Sequence, residues 1–272
     1  MVIEKKCVSE AINAKIVGSG IETMVLAYGY GCDQSIWDKI VASLSTSFKV
    51  LLFDWSFSGA IKDKDYHDPE KYTNYEAFAA DLISLMDEMN IKSSVYVGHS
   101  MSGMIGCIAS TMRPDLFHKL VLIGASPRYV NTEDYEGGFK ESDVEGLLSS
   151  MERDYNAWTY SFSGLLVDAA DPASIELYRL CLTRMQPQVA LSVARVIFLG
   201  DYREVLDLVT VPCVFVQTKR DNAVPQSVGF YMKGKVKAKA EVVELDASHH
   251  YPHLTAPHKL LHLLTNLNNV FE

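Results

Sequence analysis

The sequence lacks the features that mark secreted, membrane-embedded and nucleic-acid-binding proteins. Its five cysteines are scattered and odd in number, with no CxxC pair, which predicts reduced thiols rather than a disulfide framework. The opening segment MVIEKKCVSEA has no apolar signal-peptide core, and no apolar run approaches the ~20 residues of a membrane helix. These absences predict a soluble protein of the cytoplasm and nucleus.

Positive charge is also scarce. The formal net charge is −9 and no basic stripe is present, so neither nucleic acid nor an anionic membrane is an expected partner. Three histidines cluster in the segment Ser248–His253, but no second group of metal ligands occurs elsewhere at a matching spacing. The sequence therefore predicts neither a metal nor a cofactor.

What is present is an alternation of short apolar runs with amphipathic stretches, which is typical of a mostly parallel, doubly wound α/β sheet. One amphipathic stretch, Tyr75–Met89, carries apolar residues at the spacing of one buried helix face, with Thr73 or Asn74 as its N-cap. The segments Cys7–Ala11 and Ala14–Val17 are predicted to form an antiparallel edge hairpin. The predicted strands are Met24–Tyr28, Val50–Phe53, Val95–Val97, Leu120–Ile123, Val214–Gln217 and Glu241–Leu245.

The alternation stops between residues 126 and 199, where four helical stretches follow one another without strands. Their large apolar residues are too numerous for a solvated linker, so an inserted helical lid is predicted above the sheet edge where α/β proteins bind ligands. Residues 1–125 and 200–272 then form the core. The predicted lid helices are Glu141–Arg153, Ala157–Leu166, Pro172–Met185 and Pro187–Phe198.

The strongest local motif is Gly98-His99-Ser100-Met101-Ser102-Gly103, which lies between a predicted strand and a helix. This is the context of a nucleophile elbow, in which a sharp turn lifts a serine hydroxyl above the sheet. The usual pattern is G-x-S-x-G, and Ser102 takes the place of its second glycine. Ser100 is therefore the candidate nucleophile.

A serine hydroxyl needs a base, and the base needs an orienting acid, which follow the serine in that chain order. Asp221 follows a predicted strand and is the candidate acid, while Asp246 competes with it from the end of another strand. The candidate bases are His249, His250 and His253. Backbone N–H groups of Tyr30, in a glycine-rich loop, and of Met101, after the nucleophile, are the predicted oxyanion donors.

These residues resemble those of the plant karrikin- and strigolactone-receptor family of α/β-hydrolases, which is itself similar to the bacterial stress-response regulator RsbQ. The matching segments run the length of the chain, and the elbow with serine at position 102 is specific to this group. They include Gly31–Trp37, Gly98–Ser102, Arg113–Phe117, Ala125–Tyr129, Gly137–Phe139, Ala190–Ala194, Val211–Pro225 and His250–Pro257.

The resemblance implies an α/β-hydrolase fold with a V-shaped lid of four helices over an apolar pocket. It selects His250 as the base, because x-P-[HQ]-L follows the family's histidine, and it places His249 where glycine is usual. By matching positions, the pocket should be lined by Tyr30, Met101, Tyr129, Phe139, Leu147, Trp158, Phe162, Ile197, Phe198 and Asn222.

The chain also departs from this family. The usual His-Gly-Phe-Gly segment is Tyr28-Gly29-Tyr30-Gly31 here, which should place a tyrosine hydroxyl at the pocket mouth. The segment Asp54–Ala60 differs from the commoner D-N-M-G-A-G.

The function implied is a monomeric receptor for a small apolar butenolide lactone, of strigolactone or karrikin type, with slow serine-hydrolase activity. Its implied partners are a leucine-rich-repeat F-box protein and repressor proteins that bind the lid. The alternatives are an ordinary metabolic carboxylesterase without signalling partners, and a binding module that barely turns over.

Overall fold

The computed structural model describes residues 7–271 and contains a seven-stranded sheet with strand order β1-β3-β2-β4-β5-β6-β7. Strand β1 is antiparallel to β3, and the remaining neighbours are parallel. All six predicted strands are present within these seven. The strands are β1 (Lys15–Val17), β2 (Glu22–Ala27), β3 (Phe48–Leu52), β4 (Ser94–His99), β5 (Phe117–Ile123), β6 (Cys213–Arg220) and β7 (Ala240–Ser248).

The central strands are apolar on both faces because helices cover both sides of the sheet. Every residue of β4 is buried, and α3 packs against α4 beside it while α2 packs against α11. Asn74 caps α3, its side chain accepting a hydrogen bond from the Ala77 N–H at 3.2 Å. The core helices are α1 (Val8–Ala11), α2 (Asp38–Leu44), α3 (Tyr75–Glu88), α4 (Met101–Met112), α9 (Gln226–Lys235), α10 (Pro252–Thr255) and α11 (Pro257–Thr265).

Four helices lie between β5 and β6, and their bounds agree with the predicted ones to within two residues. Asp154 caps the second and Asp171 the third, and proline opens both the third and the fourth. They are α5 (Glu141–Arg153), α6 (Tyr155–Leu166), α7 (Pro172–Arg184) and α8 (Pro187–Leu199).

The predicted N-terminal hairpin is wrong. The first segment forms the short helix α1, and β1 pairs with β3 instead of folding back on its predecessor. Asn13 forms a turn between α1 and β1, with φ of 52°. Its side chain donates to Asp54 at 2.9 Å, so a contact distant in sequence fixes the direction in which the chain enters the sheet.

Candidate active site

Ser100 lies at the sharp turn between β4 and α4. Its φ of 56° and ψ of −125° fall in a strained region for a residue with a side chain, which is a mark of the nucleophile elbow. Gly98 leaves the space that the turn needs, because a Cβ there would approach the Ser102 carbonyl oxygen to 2.6 Å. The turn directs the Ser100 hydroxyl into a cavity beneath the lid helices.

Asp221 and His250 form a buried pair at the ends of β6 and β7. Asp221 Oδ2 lies 2.8 Å from His250 Nδ1, and the two side chains are 1% and 3% exposed. The other carboxylate oxygen accepts the N–H groups of Ala223 at 2.8 Å and Val224 at 3.2 Å. This carboxylate can therefore fix the ring of His250 and leave Nε2 as the proton acceptor.

Gly124, which sequence reasoning did not single out, makes room for this pair. Its φ is 53°, and a Cβ there would approach His250 Cε1 to 3.0 Å and Asp221 Oδ2 to 3.2 Å. A glycine directly after an apolar strand was the signal in the sequence that could have identified it.

Two of the competing residues, Asp246 and His249, lie outside this pair. Asp246 is bound on the surface by Lys219 at 2.9 Å and Lys259 at 2.7 Å, and hydrogen bonds from these lysines lower its pKa to about 2. His249 has φ of 66° and lies 3.6 Å from Asp168 in the lid insertion. The left-handed backbone of His249 is a physical reason why glycine suits this position.

Tyr129 holds the candidate nucleophile. Within residues 7–271, the hydrogen-bond partner of Ser100 Oγ is Tyr129 Oη at 3.2 Å, and no hydrogen bond joins Ser100 to His250. Burial raises the pKa of Tyr129, and the hydrogen bond with Ser100 partly opposes that shift. Proton transfer to His250 therefore requires the serine hydroxyl to rotate from Tyr129 towards the imidazole.

Two backbone N–H groups are available as oxyanion donors. Tyr30 N–H donates to no group in the described part of the chain. Met101 is the first residue of α4, where N–H groups have no partner inside the helix. Both therefore remain free to bind a developing oxyanion.

The cavity above Ser100 has a volume of about 20 Å³, which is room for roughly one water. Aromatic rings make up most of its wall. The lining residues are Tyr30, Ser100, Tyr129, Phe139, Phe162, Leu166, Tyr178, Ile197, Phe198, Ala223, His250 and Tyr251.

Four predicted lining residues are absent from this wall. Trp158 lies behind it, stacked on Phe162 with ring centroids 4.5 Å apart, and Leu147 is half-buried in α5. Asn222 points towards the lid and donates to the Leu165 carbonyl at 2.9 Å. Met101 is fully buried in α4. Helix rotation and loop direction decide these orientations, which residue spacing does not reveal.

The Tyr30 hydroxyl is also misplaced in the prediction. It is buried inside the lid and donates to the Ala190 carbonyl at 2.9 Å, rather than lying at the pocket mouth. Its ring lies edge-on to the rings of Trp158 and Phe162, with centroid distances of 6.3 and 6.2 Å. Tyr30 thus fills space that a smaller side chain at this position would leave to a ligand.

Sequence reasoning missed four lining residues: Leu166, Tyr178, Ala223 and Tyr251. Tyr178 and Tyr251 pack ring against ring at 4.5 Å, although they belong to α7 and to the loop after β7. The position of Tyr251 directly after the candidate histidine was a usable signal.

Metal, disulfide and membrane features can be assessed for the same residues. Residues 7–271 contain no group of three side chains able to hold a metal ion. Cys7, Cys32, Cys107, Cys181 and Cys213 are free thiols, four of them buried. No helix in this range has the length and hydrophobicity to cross a membrane.

A model of the alpha/beta hydrolase family matches residues 24–263, and the chain belongs to that family. The sheet order, the elbow and the strand ends that carry Ser100, Asp221 and His250 agree with it. A hydrolase from Oleispira antarctica has the same fold, with a TM-score of 0.92, 28% identity and 96% of each chain covered.

Within the family, the chain is similar to plant proteins. It is 42% identical to the strigolactone esterase RMS3 of Pisum sativum, over 94% of this chain and 96% of that protein. It is 41% identical to the karrikin insensitive 2 receptor CA of Petunia hybrida, over 94% and 95% of the two chains. The resemblance inferred from the motifs is thereby confirmed.

Proposed function

We propose that the protein is a receptor for a small butenolide-type lactone that it also hydrolyses slowly. The observation that carries this proposal is the meeting of Ser100, Asp221 and His250 at the base of an aromatic cavity closed by the inserted helices. The names of the plant relatives, strigolactone esterase and karrikin insensitive 2 receptor, support both halves of it.

In the proposed reaction, Ser100 Oγ attacks the carbonyl carbon of the lactone, or the enol-ether-linked carbonyl, while His250 Nε2 takes its proton. The N–H groups of Tyr30 and Met101 stabilise the tetrahedral oxyanion. Collapse of this intermediate breaks the acyl C–O bond, and His250 protonates the leaving oxygen. Water, deprotonated by His250, then attacks the acyl-serine carbonyl. The bond from the acyl carbon to Ser100 Oγ breaks, His250 returns the proton to Oγ, and the acid is released.

The small cavity supports the receptor half. A butenolide ring cannot enter a space of about 20 Å³ unless surrounding side chains move. Phe162, Tyr178 and Phe198 are the aromatic residues that the lid helices α6, α7 and α8 contribute to its wall. Because these rings belong to the lid, we expect ligand binding to displace lid side chains, and a lid surface that changes with occupancy is one that a partner can recognise.

We further propose that the partner is a leucine-rich-repeat F-box protein, together with repressor proteins, bound by a monomer through the lid in the cytoplasm and nucleus. The resemblance to the plant receptor family implies these partners, and the free cysteines support a location in the cytoplasm and nucleus. An ordinary carboxylesterase would have the same triad but no ligand-dependent partner.

The test uses the protein and its Ser100→Ala variant with a synthetic butenolide enol ether. Product release, thermal shift and pull-down of a candidate F-box partner are followed together. We expect slow hydrolysis and ligand-dependent pull-down, with hydrolysis lost in Ser100→Ala. Fast turnover of simple esters without any ligand-dependent partner would support the carboxylesterase instead.

The neighbouring histidines provide a matched pair for the base. His250→Gln should abolish hydrolysis, whereas His249→Gln should leave it within about twofold because His249 faces Asp168. Hydrolysis that survives His250→Gln would contradict the proposed triad.

A further inference from the structure

Three buried polar side chains connect the two segments that carry the proposed oxyanion donors. The Tyr28 hydroxyl accepts the backbone N–H of Trp55 at 2.7 Å. The Trp55 indole N–H lies 3.0 Å from both the Tyr28 carbonyl and Ser102 Oγ. The Ser102 hydroxyl in turn donates to the Tyr28 carbonyl. All three residues are at most 3% exposed, so the network is shielded from competing water.

The position of this network relates it to the reaction. Tyr28 precedes Gly29 and Tyr30 in the loop after β2, and Ser102 follows Met101 in the first turn of α4. The network therefore connects the loop that carries one donor to the helix start that carries the other. The Tyr28 carbonyl, which takes two of the hydrogen bonds, lies two residues before the Tyr30 N–H.

A second set of contacts restrains the other side of the same loop. The Tyr30 carbonyl accepts the hydroxyls of Tyr178 at 3.2 Å and Tyr251 at 3.3 Å. The Tyr30 N–H therefore lies between two carbonyls that each accept at least two hydrogen bonds. A backbone held at both points has little freedom to move the N–H away from its place.

Tyr28 and Trp55 lie in the two segments where the chain departs from the plant family it resembles, and the hydrogen bonds show that the two depend on each other. The indole N–H of Trp55 needs buried acceptors, which the Tyr28 carbonyl and Ser102 supply. The Tyr28 hydroxyl itself donates a hydrogen bond to Asp54 Oδ1 at 3.2 Å. Loss of the Tyr28 hydroxyl leaves the buried Trp55 backbone N–H without its acceptor, and loss of the Trp55 indole removes one of the two donors to the Tyr28 carbonyl.

We propose that Tyr28, Trp55 and Ser102 are positioning residues that fix the two oxyanion donors relative to Ser100. This rests on the proposed hydrolase function and identifies which residues outside the cavity set its rate. A positioning role affects the transition state and leaves ground-state binding unchanged, whereas a purely structural role lowers stability alone.

The test compares two buried tryptophans. Trp55→Phe removes the shared indole N–H, while Trp37→Phe removes an N–H that has no partner within residues 7–271. With a simple aryl ester, we expect Trp55→Phe to lower kcat roughly 10- to 100-fold and to leave KM within about twofold. An alkyl boronic acid, which forms a tetrahedral adduct on the serine, should bind weaker by a similar factor. Trp37→Phe should change neither quantity.

Ser102→Ala tests the same connection without altering an aromatic core side chain, and it serves if Trp55→Phe does not fold. It should also lower kcat and boronic acid affinity together. The double variant Tyr28→Phe/Trp55→Phe should lose no more kcat than the worse single variant, because one network is broken either way.

Three results would overturn the positioning role. They are equal losses in Trp55→Phe and Trp37→Phe, a lower melting temperature with unchanged kcat, or fully additive losses in the double variant. Failure of the proposed function is recognised separately, because hydrolysis would then persist in Ser100→Ala.

Discussion

On the sheet side of the cavity the reactive groups are held by hydrogen bonds, whereas on the lid side the wall is held mainly by contacts between rings. Asp221 accepts three hydrogen bonds, one from the His250 ring and two from the backbone N–H groups of Ala223 and Val224. The lid side instead contains packed aromatic pairs: Phe139 with Phe198 in the wall, with ring centroids 5.7 Å apart, and Phe162 with Trp158 behind it, with ring centroids 4.5 Å apart.

This difference suggests that the sheet side of the cavity carries the chemistry and the lid side selects the ligand. Hydrogen bonds are directional, so the sheet side keeps one arrangement and loses function when a partner is removed. Ring packing is much less directional and tolerates changes that conserve volume, so the lid side can rearrange around a ligand. We therefore expect substitutions on the sheet side to change rates, and those on the lid side to change stability and size selectivity.

The largest effect is expected from the carboxylate that orients His250. Asp221→Asn should lower kcat/KM for an aryl ester on the order of 10⁴-fold, because the amide favours the wrong imidazole tautomer. Asp246→Asn, at the exposed end of β7, should leave the rate within about twofold. Steady-state kinetics on both variants measures kcat/KM. Similar values for the two would show that Asp221 does not orient the base.

On the lid side, Phe198→Ala should cost about 3–5 kcal/mol of unfolding free energy, because it leaves a cavity where three aromatic neighbours now pack. The same change should favour longer acyl esters over acetate. Urea unfolding and a series of esters measure both effects. The exposed Phe230→Ala is the control and should cost less than ~0.5 kcal/mol. Unchanged ester preference would mean that Phe198 does not limit ligand size.

The third prediction concerns the stability of the fold at acidic pH. His253 is fully buried beside Trp37 and His99, and burial lowers its pKa to about 3. Below its ordinary pKa of 6.5 the unfolded chain binds a proton that the folded chain does not. Stability should therefore fall as the pH drops from about 6.5 towards 3.

His253→Gln should remove on the order of 1–2 kcal/mol of the stability loss between roughly pH 6.5 and pH 5. Urea unfolding at several pH values measures it, with the exposed His258→Gln as control. His99 and His67, whose pKa values burial also lowers, should account for part of the remaining loss. An identical pH dependence in the His253 variant would rule out this histidine as a cause of acid sensitivity.

The smallest effect is expected from a hydrogen bond inside the lid. Tyr155→Phe removes the bond from the Tyr155 hydroxyl to the Leu182 carbonyl at 2.7 Å, which should cost about 1 kcal/mol. The exposed Tyr160→Phe should cost almost nothing. A large loss of kcat in Tyr155→Phe would contradict the division between the two sides of the cavity, because a lid hydrogen bond would then affect the reaction rate.

Much of the fold follows from short windows of sequence. Apolar periodicity, proline and cap residues placed the strands and the four inserted helices, because backbone preferences act over a few residues. Ser100 was found in the same way. Asp221 needed the order of the strands, and His250 was selected by resemblance alone. The structure adds a physical reason for that selection, the left-handed backbone of His249.

Other features depended on contacts between distant parts of the chain. Three sets of hydrogen bonds join separate elements. They are the one between Ser100 and Tyr129, the one from the Tyr30 hydroxyl inside the lid, and the network of Tyr28, Trp55 and Ser102. The directions of Leu147, Trp158 and Asn222 depend equally on how helices and loops pack. By itself the sequence determined which elements form and which residue types can react. Only tertiary packing decided which side chains face the cavity, because that orientation depends on many neighbours at once.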